Sequence, residues 1–184
     1  MILKAFDSHH RDSYDAIVDA IYFAIHWKGS NNEKVSIINL SLGSFKKNSK
    51  LKKAIKHATL NKILIVGSTG NFKSNKNKGN SLMYPSRYPE VIKVGALDQS
   101  FNIAPFSSSD KKINFLAPGV NILSTIPNNK YAYFSGTSMA APHVTGILAL
   151  ILKVYSINEI LILLEKSLLH YTLPAIHTSV FIKN

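Results

Sequence analysis

The sequence predicts an α/β fold: one domain over residues 1–184, with a parallel sheet covered by helices on both faces. Short β-branched runs at 35–40, 63–66 and 91–94 alternate with stretches whose apolar residues recur at helical spacing. These runs are apolar almost throughout rather than at every second position, the pattern of strands buried on both faces. The chain shows no internal repeat and no linker that would divide it.

In chain order, residues 2–6 read as a short strand and 7–12 as a polar loop. Ser13 is a plausible N-cap for a helix with Asp15 in its first turn and an apolar stripe of Ile17, Ile21, Ala24 and Ile25. Gly29 marks its stop. The strand at 35–40 is followed by the turn-prone Gly43-Ser44 and by a basic helix. In that helix Leu51, Ala54, Ile55 and Ala58 form one stripe, while Lys50, Lys52, Lys53, Lys56 and His57 fall largely elsewhere around the wheel. Further strands are expected at 63–66, ending in Gly67, at 91–94 and at 113–116. Residues 71–88 and 98–112 read as loops, 138–154 as a largely apolar helix and 157–169 as an amphipathic one. Within the apolar helix, 146–152 is expected to be a buried element, since no apolar run reaches the roughly 18 residues of a membrane span.

Composition narrows the function classes. With 184 residues, 46% apolar and 17% charged, the chain can bury a core and is not a disordered chain. The absence of cysteine excludes disulfides, thiolate metal sites and a thiol nucleophile. The first residues, interrupted by Lys4 and Asp7, do not form a signal peptide, so a cytoplasmic location is expected of the chain as it stands. The net charge of +12 is confined to one segment: residues 34–87 hold twelve Lys or Arg and no Asp or Glu. A solvated lysine-rich surface accounts for it, and without interleaved aromatic residues nucleic acid is not the expected partner.

The most informative stretch is Ser135-Gly136-Thr137-Ser138-Met139-Ala140-Ala141-Pro142-His143-Val144. A glycine-containing loop runs straight into a long apolar helix, which places Ser138 at the helix N-terminus. Unpaired N–H groups and the positive end of the dipole there favour a developing oxyanion. Ala140 and Ala141 would let another backbone approach closely. Pro142 is expected to be tolerable, because the first turn has no intrahelical N–H acceptor to lose. On these residues alone, Ser138 could equally be an ordinary helix cap.

The segment from Gly136 to Val144 resembles the nucleophile motif of the subtilisin-like serine peptidases (peptidase S8, bacillus type). The resemblance continues upstream in family order. It takes in Ile37-Ile38-Asn39-Leu40-Ser41-Leu42-Gly43, Val66-Gly67-Ser68-Thr69-Gly70-Asn71, Tyr84-Pro85 with Tyr88 to Ala96, Phe106-Ser107-Ser108 and Ala117-Pro118-Gly119-Val120. It implies a doubly wound, subtilisin-like fold and peptide-bond hydrolysis through an acyl-enzyme. Ser138 is then the nucleophile, and Asn71 donates to the oxyanion beside the Ser138 N–H. By the same resemblance Ser41, Leu42 and Gly43 pair with an extended substrate, Gly67, Ser68 and Thr69 wall the first specificity pocket, and Gly70 turns tightly. Alanines usually stand where Ser68 and Thr69 do, so the pocket's polarity departs from the pattern. At the other end, Leu173-Pro174-Ala175-Ile176-His177 replaces a Gly-rich strand found in many members.

Two parts of the pattern are missing. Neither an Asp-Ser/Thr-Gly nor a His-Gly-Thr-His motif occurs in these residues, and in the family both precede the strand that 2–6 resembles. A serine needs a base, and the base an orienting group. The chain alone is therefore expected to be inactive. Activity would require an upstream fragment that supplies the Asp and the His, and the compartment would follow from that part. The absent Asp-bearing strand would lie between those resembling 2–6 and 35–40, leaving both with unpaired edges. His143 is a structural residue in the family, while His9 and His10 would border the cleft rim. His26, His57, His170 and His177 read as surface or packing residues. No cofactor and no metal ligand set is evident. Calcium is implied by the resemblance only, with Asp98 as its candidate here. The partner expected is a peptide or protein substrate, not a membrane. Two other readings stand beside this one: a non-catalytic peptide-binding module, and an anion-binding protein acting through the lysine-rich segment.

Overall fold

The computed structural model describes residues 1–6, 14–72, 82–108 and 113–170, with side chains up to 164 in the last helix. Its elements are α1 (Tyr14–His26), β1 (Ile37–Leu40), α2 (Ser49–Leu60), β2 (Leu64–Ser68), β3 (Val91–Leu97), β4 (Phe115–Pro118), β5 (Ile122–Ile126), β6 (Lys130–Phe134), α3 (Thr137–Ile151) and α4 (Ile157–His170). Strands β1 to β4 form a parallel sheet in the order β1-β2-β3-β4, and β5 and β6 form a separate antiparallel hairpin.

The sheet is covered on both faces because each strand is apolar at successive positions, which point to opposite sides. Ile63, Ile65 and Val91 pack with Ile17 and Ile21 of α1 and with Leu51, Ile55 and Ala58 of α2. Leu64, Val66, Ile92, Val94 and Ala96 pack with Ala140, Ala141, Val144 and Leu148 of α3 and with Ile160 of α4. The stripe expected in the basic helix, Leu51, Ala54, Ile55 and Ala58, is fully buried, and its lysines are exposed. Asn48 caps α2 by accepting the Leu51 N–H at 2.9 Å. Ser156 and Glu159 cap α4 reciprocally: the carboxylate accepts from the Ser156 N–H and hydroxyl, each at 2.7 Å, and the hydroxyl accepts the Glu159 N–H at 3.3 Å. Those two donors hold the Glu159 carboxyl below its ordinary range.

Several expectations need correction. Residues 2–6 form no strand beyond a single bridge at Phe6, and Ile2 is 97% exposed. A strand needs a laddered neighbour for its N–H and C=O groups, and none of the described strands flanks this segment. The outer edge of β1 is likewise unpaired among the described strands. Helix α1 ends at His26 rather than at Gly29, with the His26 ring on the Tyr22 carbonyl at 2.8 Å. The strand expected at 113–116 lies at Phe115–Pro118. The β5–β6 hairpin was not expected at all; its turn places Asn128 and Asn129 at φ 67° and 54°, a conformation that favours Asn. The stretch 146–152 is only partly buried, with Ile147 48% and Leu150 65% exposed. Helix α3 is apolar around most of its circumference and the sheet covers one side of it, so the opposite side stays open. The Ser13 cap, His9, His10 and the segment 173–177 lie outside the described residues.

Tyr88 ties the start of α2 to the loop before β3. Its phenol donates to the Asn48 carbonyl at 2.8 Å. Burial pushes that phenol above its ordinary value, against the opposing pull of the Asn48 N–H on its oxygen. The folded chain therefore binds this proton more tightly than the unfolded one. The contribution is complete below about pH 10, the unfolded value, and is lost as pH rises through the folded one. Urea midpoints measured at about pH 8 and about pH 11 should fall less for Tyr88→Phe than for the wild type. Parallel falls would remove Tyr88 as the cause.

Candidate active site

The carboxyl ends of β1 and β2 lie side by side, with Leu40 opposite Gly67. The loops that leave them are hydrogen-bonded to the first turn of α3, which gathers Ser41, Asn71 and Ser138 from three distant parts of the chain. Clefts at the carboxyl ends of parallel strands are where such sheets hold ligands.

Ser138 is not the cap of α3. The N-cap is Gly136, and the Ser138 hydroxyl donates to the Ser41 carbonyl at 3.3 Å. The Ser41 hydroxyl in turn donates to the Ser138 carbonyl at 2.9 Å and accepts from the Asn39 amide at 2.9 Å. Pro142 explains this second bond. It lies in the second turn of α3, beyond the first turn where it was expected to be harmless. A residue there would donate its N–H to the carbonyl four positions back, that of Ser138, and proline has no N–H to give. The Ser41 hydroxyl takes that place.

Asn71 is anchored by its oxygen. Its Oδ1 accepts from the Thr137 N–H at 2.9 Å and from the Thr137 hydroxyl at 3.0 Å. A backbone N–H can only donate, so the atom facing it must be the amide oxygen, and Nδ2 carries the side chain's two N–H donors. A Cβ on Gly136 would come within 2.9 Å of Nδ2, so the residue before Thr137 must be small. Thr137, fully buried, also accepts the Gly70 N–H at 3.0 Å. Gly70 has φ +104°, the left-handed turn expected of it, and a Cβ there would strike the Met83 sulfur at 2.8 Å. Sequence reasoning assigned Thr137 no role. Its signal is that a buried hydroxyl between a glycine and Ser138 must have partners.

The expected pocket segments differ in exposure. Leu42 packs partly against the core, and Gly43 is exposed beside the Ser44–Tyr84 bridge. Gly67, Ser68 and Thr69 are buried. The Ser68 carbonyl accepts the Ser86 hydroxyl at 2.7 Å, while Thr69 donates its N–H to Val94 and accepts from Met83, both at 3.1 Å. The Thr69 hydroxyl is buried without a partner among the described residues. Phe45 and Phe72, which follow the two segments, meet edge to face with centroids 5.3 Å apart; both are largely exposed.

Among the described side chains, no histidine bonds to Ser138. His143 bonds the Met139 carbonyl at 2.8 Å, and His57 packs its ring against Tyr22. No cluster of three His, Asp or Glu exists among the described residues, and Asp98 spends Oδ1 on the N–H groups of Ser100 and Asn102, each at 2.9 Å. No helix among the described residues is long and apolar enough to cross a membrane.

A family model described as the subtilase family, Peptidase_S8, matches residues 1–168. The chain is 42% identical over 151 residues to an intracellular serine protease of Paenibacillus polymyxa, covering 82% of this chain and 44% of that protein. To the major intracellular serine protease of Bacillus subtilis (strain 168) it is 44% identical over 138 residues, 75% of this chain and 41% of that protein. To subtilisin DY of Bacillus licheniformis it is 40% identical over 153 residues, 83% of this chain and 53% of that protein. The chain thus spans about half or less of the length of these relatives.

Thr137→Val leaves the Gly70 N–H without its acceptor and should cost about 1–3 kcal/mol by urea unfolding. Thr137→Ser should recover most of that loss. Equal stability of the valine variant would show that the hydroxyl holds nothing in place.

Proposed function

The chain belongs to the subtilase family and forms a subtilisin-family protease domain, and from that premise we propose that it supplies the nucleophile half of a peptide-hydrolysing site. One observation carries the reading: Ser41, Asn71 and Ser138 are hydrogen-bonded into one cluster at the N-terminus of α3. Ser138 Oγ attacks the scissile carbonyl carbon while a base accepts its proton. The Asn71 Nδ2 and the Ser138 N–H, which has no intrahelical acceptor in the first turn, receive the oxyanion. Collapse of that intermediate expels the amine with the proton the base has held, and water then hydrolyses the acyl-Ser138. Ser41 to Gly43 offer main-chain groups to an extended peptide, and Gly67 to Thr69 back the side-chain pocket beside it.

The base and its orienting carboxylate come, in this reading, from an upstream fragment that pairs with the open edge of β1 and covers the exposed side of α3. Without them the turnover of this chain is very low. In subtilisin itself, the reference case, loss of the histidine alone costs about 10⁶-fold. A second reading rests on the Ser138 hydroxyl, which is bonded to the Ser41 carbonyl rather than to a base: a module that binds extended peptides without cleaving them.

A fluorophosphonate probe tests the first reading. Labelling should be slow on the chain alone, accelerate with a fragment that carries the Asp-Ser/Thr-Gly and His-Gly-Thr-His motifs, and vanish in Ser138→Ala. No Ser138-dependent labelling with the fragment present would contradict it. Peptide binding that survives Ser138→Ala with no turnover would favour the second.

A further inference from the structure

Each wall of the candidate cleft carries a glycine, and one side chain lies against both. A Cβ on Gly43 would fall 3.0 Å from the Met83 Cβ and 3.5 Å from its Cε. A Cβ on Gly70 would fall 2.8 Å from the Met83 sulfur and 2.9 Å from its Cγ. The whole Met83 side chain, from Cβ to Cε, therefore stands in the gap between the Ser41–Gly43 and Gly67–Gly70 segments. Its main chain is fixed there. Met83 donates its N–H to the Thr69 carbonyl at 3.1 Å, and Tyr84 exchanges two bonds with Ser44, at 2.9 and 2.8 Å. Residues 83–84 thus join one wall to the other.

The gap is held at both ends. At α3 the walls are tied through Ser41 and Asn71, and two positions beyond each glycine Phe45 and Phe72 meet edge to face. Met83 is only partly buried, so the gap it occupies is reached from solvent. A peptide paired with Ser41 to Gly43 would send the side chain beside its scissile bond into this gap. Two glycines leave room for a large side chain only if nothing else stands between them, and Met83 takes that volume. A second large group would have to force it out of close packing. Methionine has three rotatable bonds and yields more readily than a branched residue, so an aromatic side chain is disfavoured rather than excluded.

We propose that Met83 fills the side-chain pocket of this cleft and restricts it to peptides with a small residue, alanine or glycine, beside the scissile bond. The proposal rests on the peptide reading above for the nature of the occupant, whereas the filled gap stands on the contacts of Met83 itself.

Two measurements on the full chain keep these apart, each on wild type, Met83→Ala and the volume-conserving Met83→Leu. The first is the affinity for two fluorescent alanine tetrapeptides that differ only in a last residue of alanine or phenylalanine. One methylene in an apolar pocket is worth roughly 10- to 200-fold, so wild type and Met83→Leu should prefer the alanine peptide by about 10-fold or more. Met83→Ala should erase or reverse that preference. The second is thermal unfolding with indole, an aromatic group without a peptide. Indole should raise the unfolding midpoint of Met83→Ala, whose vacated gap it can enter, and leave the other two unchanged. Equal wild-type affinity for the two peptides, or a preference that Met83→Ala leaves intact, overturns the proposal. The wild-type preference decides alone if Met83→Ala does not fold. Binding of neither peptide by any of the three would remove the peptide reading. Indole stabilising only Met83→Ala would then still support the filled gap, and indole stabilising none would overturn it.

Discussion

Pro142 withholds the amide that would close the α-helical bond to the Ser138 carbonyl, and the Ser41 hydroxyl donates there at 2.9 Å in its place. The main chain of Ser138 is thereby tied to the loop that leaves β1. A buried or half-buried carbonyl without a donor is unfavourable, so the proline in α3 and the hydroxyl after β1 are energetically linked. The bond back, from the Ser138 hydroxyl to the Ser41 carbonyl, closes a reciprocal pair. Asn39 continues it: its amide donates to the Ser41 hydroxyl, and its oxygen lies 3.1 Å from the Thr145 hydroxyl on α3. The end of β1 is therefore tied to α3 at Ser138 and again at Thr145.

A second tie fixes the other wall. Thr137 accepts from Gly70 and donates to Asn71, so the residue before Ser138 sets both the turn after β2 and the orientation of the Asn71 amide. Donors aimed in advance at a developing charge need no reorganisation during reaction, which is the source of their catalytic value. The proposed oxyanion side is thus assembled by contacts internal to this chain. Among the described residues, the outer edge of β1 has no paired strand and the apolar outer side of α3 is exposed.

Much of this was legible from local pattern. The Leu51, Ala54, Ile55 and Ala58 stripe, the β-branched runs at β1 to β3 and the motif from Gly136 to Val144 each carry their own physical reason. The site residues Ser41, Asn71 and Ser138 came from motif resemblance, and the structure brings all three together. What local pattern could not give was pairing across distance. The role of Pro142 depends on a hydroxyl 101 positions upstream. The strand expected at 2–6 shows the same limit, because an apolar run becomes a strand only with a neighbour to pair with. The β5–β6 hairpin had a readable signal in Asn128-Asn129, between the Ile- and Thr-containing run Ile122–Ile126 and an aromatic one.

The coupling between Ser41 and Pro142 tests the account most directly, through the stabilities of Ser41→Ala, Pro142→Ala and the double variant. In Pro142→Ala the helix regains its own N–H donor for the Ser138 carbonyl, so removing the Ser41 hydroxyl should then cost less. An interaction energy of about 1 kcal/mol or more, with the second loss smaller than the first, is the predicted result. Additivity to within about 0.3–0.5 kcal/mol would contradict it, and would mean that the Ser41 hydroxyl does not replace the bond the proline removes.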